Sequence, residues 1–141
     1  MAQTAAELHE HPYLAGDAVR TGSDGKPRLF GTGCKDCGAK CFPPVHVCPE
    51  CMSENVADVE LSTRGTLYSW SVVHVAPKGW KVPYVAGYVD LPEKVRVFAH
   101  VVGADPGTLE MDMPVRLTTA ELLVDASGAH IESYAFTPDR S

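Results

Sequence analysis

Two C-x-x-C pairs, Cys34-Lys35-Asp36-Cys37 and Cys48-Pro49-Glu50-Cys51, are separated by ten residues, and no other feature limits this chain's folding as tightly. Each pair can turn back on itself so that two sulfurs and several backbone N–H groups converge. Two such knuckles close a tetrahedral cage of four cysteines around Zn2+. Gly38, directly after the first pair, suits that turn because it has no Cβ to clash in left-handed backbone. Met52 holds the equivalent place after the second pair, so there the turn rests on Pro49 and the spacing. Pro43-Pro44 stiffens the short loop between them. Cys34, Cys37, Cys48 and Cys51 are the expected ligands. Four thiolates with no open position describe a structural site that folds the protein rather than reacts. Iron in a four-cysteine site uses the same knuckles and a dithiol redox pair uses one of them, so both stay open on sequence. Cys41 and His46 are near enough in the chain to compete as ligands; Cys41 reads as a small buried apolar residue beside the site.

A chain of 141 residues, 45% of them apolar, is long enough for one compact core with a small metal module attached. It has no run of eighteen apolar residues and no charged segment leading into an apolar one at the N-terminus, so neither a membrane span nor a secretory signal is expected. Five cysteines, four of them in metal spacing, fit a reducing compartment better than a disulfide framework, and the chain reads as cytoplasmic. With 18 acidic against 12 basic residues the net charge is −6, which repels nucleic-acid phosphate at long range.

Residues 1–10 could form a short helix, and His9 and His11 read as solvated tail residues. The Thr21-to-Pro27 cluster between Ala18-Val19-Arg20 and Arg28-Leu29-Phe30 predicts a hairpin leading into the metal site. After Cys51 the pattern becomes that of strands: Val56 to Leu61, Thr66 to Val75, Tyr84 to Leu91, Val95 to Val102, Val115 to Ala120 with an extension to Val124, and Ile131 to Phe136. In the longest of these, Tyr68, Trp70 and Val72 are expected on one face and Leu67, Ser69, Ser71, Val73 and Val75 on the other. Turns fall at Leu91-Pro92-Glu93-Lys94 and Asp125-Ala126-Ser127-Gly128, with a break at Ala104-Asp105-Pro106-Gly107. Short, closely spaced strands with little helix predict a mainly β protein whose second part is a small OB-type antiparallel barrel. The division is an arm and hairpin over 1–30, a zinc ribbon over 31–60 and the barrel over 61–141.

Taken in order, Gly31-Thr32-Gly33-Cys34-Lys35-Asp36-Cys37-Gly38, Phe42-Pro43-Pro44, Cys48-Pro49-Glu50-Cys51, Arg64-Gly65-Thr66-Leu67-Tyr68-Ser69 and Val72-Val73-His74-Val75-Ala76-Pro77 resemble the zinc-ribbon/OB-fold accessory family, long catalogued as a domain of unknown function. The resemblance spans about residues 28–136. It implies a rubredoxin-like zinc ribbon followed by the barrel. It also implies a role as a small partner of thiolase-like and related acyl-CoA enzymes, with the reactive cysteine on the partner chain. Members occur in archaeal acyl-CoA condensation, in steroid side-chain degradation and with benzoylsuccinyl-CoA thiolase. The expected function is therefore a non-catalytic subunit of a thiolase-type complex, needed for assembly and acyl-CoA handling, with structural Zn2+ as its cofactor.

An enzymatic reading would pair Cys41 with His46 or His74, but the sequence supplies no third group to orient the base. His74 and His100 read as core or interface histidines, and Asp90 and Glu93 as solvated turn carboxylates. The competing binding-module reading is single-stranded nucleic acid, with Tyr68, Trp70, Tyr84, Tyr88 and Phe98 stacking bases between Lys78, Lys81, Lys94 and Arg96. The stretch Ala76-Pro77-Lys78-Gly79-Trp80-Lys81-Val82-Pro83 holds a large aromatic between two lysines, bracketed by prolines. Lys78, Trp80 and Lys81 are the expected contact to the partner or its acyl-CoA, against the alternative that Trp80 folds back as a lid on the barrel mouth.

Overall fold

The computed structural model describes residues 18–22 and 24–139. The short helix expected over residues 1–10, with His9 and His11, lies outside them. The hairpin predicted ahead of the metal site is the pair β1 (Val19–Thr21) and β2 (Pro27–Cys34), antiparallel with Val19 opposite Leu29. The turn closes with the Gly22 N–H donating to the Lys26 carbonyl at 2.8 Å. β3 (Lys40–Cys41) and β4 (Val56–Glu60) then flank the second half of β2, both facing Thr32 and Gly33. β2 is thus the central strand of the small sheet that carries the first knuckle at its end.

The remaining strands are β5 (Arg64–Val73), β6 (Tyr84–Asp90), β7 (Arg96–Val101), β8 (Pro114–Val124) and β9 (His130–Pro138). They close into a barrel in the order β5-β6-β7-β9-β8. Every ladder of the barrel is antiparallel except β7 with β9, where His100 lies opposite Ala135. Pairing of Arg64–Thr66 with Pro114–Arg116 seals the ring. This is the five-stranded Greek-key closure of an OB-type barrel.

Alternation places the core. In β7, Val97, Ala99 and Val101 are buried while Arg96 and Phe98 are exposed. Leu67, Val89, Val97, Val115 and Phe136 fill the barrel with no exposed surface, and burying each such side chain is worth about 1.5–3 kcal/mol. Val19, Leu29 and Leu61 from the ribbon side belong to the same cluster, so one continuous core joins the two modules.

Three expectations need correction. In β5 the alternation does not run through: Leu67 opposes Val89, but Tyr68 and Ser69 share Tyr88, and Trp70 then opposes Gly87. This bulge sets two residues against one. It turns Tyr68 outward, where the Arg96 guanidinium lies 3.7 Å from its ring centroid, and sends Trp70 toward the core. His74 is no core residue: it follows the end of β5 and is exposed. Asp90 and Glu93 are not merely solvated. Asp90 accepts two bonds from Arg96, at 2.6 and 3.1 Å. Glu93 accepts from the Ser62 N–H at 3.1 Å and from its hydroxyl, fastening the β6–β7 turn to the link between ribbon and barrel.

Candidate functional site

The two knuckles are conformational copies. In the first, the Gly38 N–H donates to the Cys34 carbonyl at 2.9 Å and the Cys34 N–H to Ala39 at 2.8 Å. In the second, the Met52 N–H donates to Cys48 at 2.9 Å and the Cys48 N–H to Ser53 at 2.8 Å. Gly38 has φ +81° and Met52 has φ +64°, so the second turn uses the same left-handed conformation without a glycine. Asp36 ties the copies together, accepting from the Ser53 hydroxyl and from Asn55 Nδ2 at 3.2 Å, and these two bonds, Ser53 first, lower its pKa.

The sulfurs of Cys34, Cys37, Cys48 and Cys51 all lie within 4.8 Å of one another. Cys34 and Cys51, and likewise Cys37 and Cys48, are 3.6 Å apart. Tetrahedral zinc with Zn–S bonds of about 2.3 Å needs S···S edges of about 3.8 Å, so the four sulfurs sit at ligand spacing, too far apart for disulfides. The thiols also titrate against each other. The Cys37 backbone N–H, outweighing burial, lowers Cys34 to about 7. Cys51, despite the Ser53 N–H that lowers it, is pushed up to about 12 by the neighbouring Cys34 and Cys37 sulfurs. A divalent cation removes that conflict by holding all four as thiolates. Cys34 and Cys48 are buried and Cys37 and Cys51 exposed, so the cage has one dry side and one wet side. Cys41, opposite Thr32 in β3, is not part of this cluster, and its thiol is pushed up mainly by burial.

Away from the cysteine cluster, the Trp80 loop is stitched to the end of β8 by main-chain bonds. The Lys81 N–H donates to Leu122 at 3.1 Å and the Val124 N–H to Gly79 at 2.9 Å, and Trp80 bridges Leu123. Gly79 has φ +99°, and a Cβ there would come 2.3 Å from the Val124 carbonyl oxygen. Trp80 is half-buried. Its ring lies 5.9 Å from His100 at an interplanar angle of 13°, and Tyr84 stacks on the same imidazole at 4.3 Å. Lys81 pairs with Glu121 at 2.9 Å; His130 holds the same carboxylate, and these two partners, His130 first, keep its pKa low. Lys78 stays exposed.

Of the aromatic set weighed for base stacking, only Tyr88 and Phe98 are brought into ring contact, at 5.2 Å between centroids, with Tyr68 beside them. Trp70 packs against the core, Tyr84 is taken up by His100, and Lys81 and Arg96 are held by carboxylates. Tyr68, Tyr88 and Phe98 remain 43%, 44% and 56% exposed on the outer face. Sequence reading missed Glu121 as the partner of Lys81, and His130 as the second group on that carboxylate. Their pairing depends on the β8–β9 register, in which Glu121 lies opposite Glu132 just before a second bulge.

A closed four-thiol ribbon sharing its core with a five-stranded barrel defines a zinc-ribbon/OB-fold protein whose zinc is structural. Comparison with known proteins agrees. Residues 25–57 match the family described as the rubredoxin-like zinc ribbon domain of ChsH2, and residues 58–120 match its C-terminal OB-fold domain. The chain belongs to this zinc-ribbon/OB-fold family. It is 41% identical to benzoylsuccinyl-CoA thiolase subunit BbsA of Thauera aromatica over 85% of this chain and 83% of that one. It is 33% identical to a DUF35 domain-containing scaffold protein of Methanocaldococcus jannaschii over 78% of this chain and 81% of that one. Among solved structures, the Ltp2-ChsH2(DUF35) aldolase superposes with a TM-score of 0.65 at 33% identity, covering 79% of this chain and 84% of that chain.

Proposed function

We propose that this protein is the non-catalytic subunit of a thiolase-type acyl-CoA complex, assembling with a thiolase-like catalytic chain in the cytoplasm and acting on an aromatic acyl-CoA. The carrying observation is the 41% identity to a benzoylsuccinyl-CoA thiolase subunit across most of both chains. The site chemistry points the same way. Four thiolates saturate a tetrahedral metal and leave no position for substrate, and burial holds the Cys41 thiol in its un-ionised form. We assign Cys34, Cys37, Cys48 and Cys51 as the four zinc ligands. The metal's contribution is to fix the knuckles; the chain's own residues position the partner.

The contact surface in this reading includes Lys78, Trp80 and Lys81. Main-chain bonds hold their loop in one place, so little entropy is lost when it docks. The test is reconstitution. The zinc-loaded chain is expected to show no acyl transfer alone and to restore turnover when mixed with its catalytic chain. Acyl transfer by this chain alone, abolished by Cys41→Ala, overturns the accessory role. Trp80→Ala is expected to cost at least about 2 kcal/mol of association, about thirtyfold, as hot-spot aromatics do. Lys78→Ala and Lys81→Ala are expected to raise KM for acyl-CoA. If all three variants leave association and KM unchanged, the contact assignment fails while the accessory role stands on the reconstitution result.

A further inference from the structure

The four-sulfur cage is a repeat that is fastened along one edge only. Cys48 follows Cys34 by fourteen residues, so Lys35 and Asp36 correspond to Pro49 and Glu50, and Ala39 and Cys41 correspond to Ser53 and Asn55. Around the sulfurs the repeat is kept: Cys37 takes the Ala39 N–H, Cys51 takes the Ser53 N–H, and both cysteines are exposed. Between the knuckles it is broken. On one edge the Lys35 N–H donates to the Asn55 carbonyl at 2.9 Å, and the Asp36 carboxylate accepts from the Ser53 hydroxyl and from Asn55 Nδ2 at 3.2 Å. The Asn55 N–H donates to Ser53 Oγ at 3.0 Å, which leaves the hydroxyl proton for Asp36. On the other edge each counterpart is disabled by residue type: Pro49 has no N–H to give, Ala39 has no hydroxyl, and Cys41 stands where Asn55 has its amide. The Glu50 carboxylate accordingly makes no hydrogen bond or ion pair among the described residues. The sheet reinforces the fastened edge, because Val56 pairs with Cys34 as β4 leaves the second knuckle, whereas no strand holds the residues leading into that knuckle.

We propose that Asp36 is a positioning residue for the metal: with Ser53 and Asn55 it latches the Cys34–Cys51 edge of the cage, so that metal is exchanged at the opposite edge, between Cys37 and Cys48. Both edges are equally short, 3.6 Å between sulfurs, so what separates them is the bonding behind the sulfurs and not their spacing. Cys34 is tied to β4 and Cys51 to Ser53, the residue that Asp36 holds. Cys37 and Cys48 have only the unfastened Pro49-Glu50 tip and Ala39 beyond them. Cys48 is buried, which leaves Cys37 as the sulfur that an incoming chelator or electrophile meets first. Hydrogen bonds to a carboxylate are about twice as strong as neutral ones. Loss of a group that orients metal ligands from outside typically costs about 10–100-fold in metal affinity. Asp36 supplies no ligand, so its latch acts on how readily the cage opens and leaves the ligand set as it is. The latch is a property of this chain alone and does not depend on the accessory role.

The test uses the zinc-loaded full chain. Zinc transfer to an excess of chromogenic chelator is timed, cobalt substitution checks the coordination, and limiting iodoacetamide followed by peptide mapping shows which sulfur reacts first. In that alkylation a cysteine thiolate bonds to the reagent's carbon and iodide leaves. Asp36→Ala is expected to speed zinc transfer about tenfold, while its cobalt charge-transfer and d–d bands match those of the wild type. Ser53→Ala removes one of the two side-chain bonds to Asp36; it is expected to speed transfer less, and to add little on the Asp36→Ala background because the two residues act as one unit. Glu50→Ala, the same position in the other knuckle, is expected to transfer zinc as the wild type does. In the wild type Cys37 is expected to be alkylated before Cys51, and in Asp36→Ala that order is expected to vanish. The proposal is overturned if Asp36→Ala leaves the transfer rate unchanged or alters the cobalt bands, if Ser53→Ala adds its full factor on top of Asp36→Ala, if Glu50→Ala is as fast as Asp36→Ala, or if Cys51 of the wild type reacts as readily as Cys37. Should Asp36→Ala fail to fold, the order of alkylation in the wild type decides.

Discussion

Replacing Cys48 with serine alters the most deeply buried of the four cysteines, 1% exposed. A structural zinc site contributes about 10–16 kcal/mol, so an equal share per thiolate is about 2.5–4 kcal/mol, or roughly two to three decades of metal affinity. The structure says where that loss is felt. Between β3 and β4 no strand holds residues 42–55. Beyond the metal and the knuckle bonds, they are held by Phe42 packing edge-on against Tyr134, by the Val45 N–H donating to Thr32 Oγ1 at 3.3 Å, and by the bonds of Ser53 and Asn55 to Asp36. β3 itself is pinned by two residue pairs. The barrel, by contrast, has its own fully buried core of Leu67, Val89, Val97, Val115 and Phe136. Cys48→Ser is therefore expected to release zinc to a chromogenic chelator at concentrations that leave the wild type loaded. Amide hydrogens from 35 to 55 should exchange faster while β5–β9 keep their protection. Cys41→Ser should behave as wild type in both assays. Equal zinc loss from Cys41→Ser would sink the ligand assignment, and simultaneous loss of protection in the barrel would sink the claim that the metal acts locally.

Met52→Gly relieves a left-handed non-glycine residue whose strain is about 1–2 kcal/mol and loosens the unfolded chain, for an expected net gain of about 0.5–1 kcal/mol in chemical denaturation. Phe136→Ala empties the centre of the barrel and is expected to cost about 3–5 kcal/mol in the same measurement. The pH dependence follows from His100. Burial sets its folded pKa below the ordinary 6.5, so on acidification the unfolded chain takes up this proton first. The contribution of the neutral ring is complete above pH 6.5 and is lost as pH falls from there through the folded value. The melting temperature of the wild type should drop between pH 7.5 and pH 5.5 by more than that of His100→Phe, and identical drops would refute the argument.

Much of this architecture could be read from residue order. Turn formers mark the hairpin at Gly22 to Pro27 and the turns at Leu91 to Lys94 and Asp125 to Gly128, and β-branched and aromatic runs mark the barrel strands between them, with clean period-two alternation in β7. The cysteine spacing announced the metal cage because a knuckle is local: all its bonds join residues within five positions of each other. What escaped is non-local or is an exception to local preference. The bulge at Tyr68 exists because Leu67 and Trp70 both reach the core, and nothing in alternation distinguishes Tyr68 from its neighbours. Met52 carries no glycine to advertise its left-handed turn. Glu93 serves Ser62 from 31 residues away, and Glu121 reaches Lys81 only once the Trp80 loop has docked on β8.

The docking of that loop has a consequence for how such proteins diversify. Gly79 and Lys81 are held to Leu122 and Val124 through peptide groups, which every amino acid carries. Side chains at Lys78, Trp80 and Lys81 can therefore be exchanged while the backbone path is kept, provided that Gly79 stays. If the loop is the contact surface proposed above, a chain built this way can be re-tuned to a different partner by point substitution alone, with the scaffold left as it was.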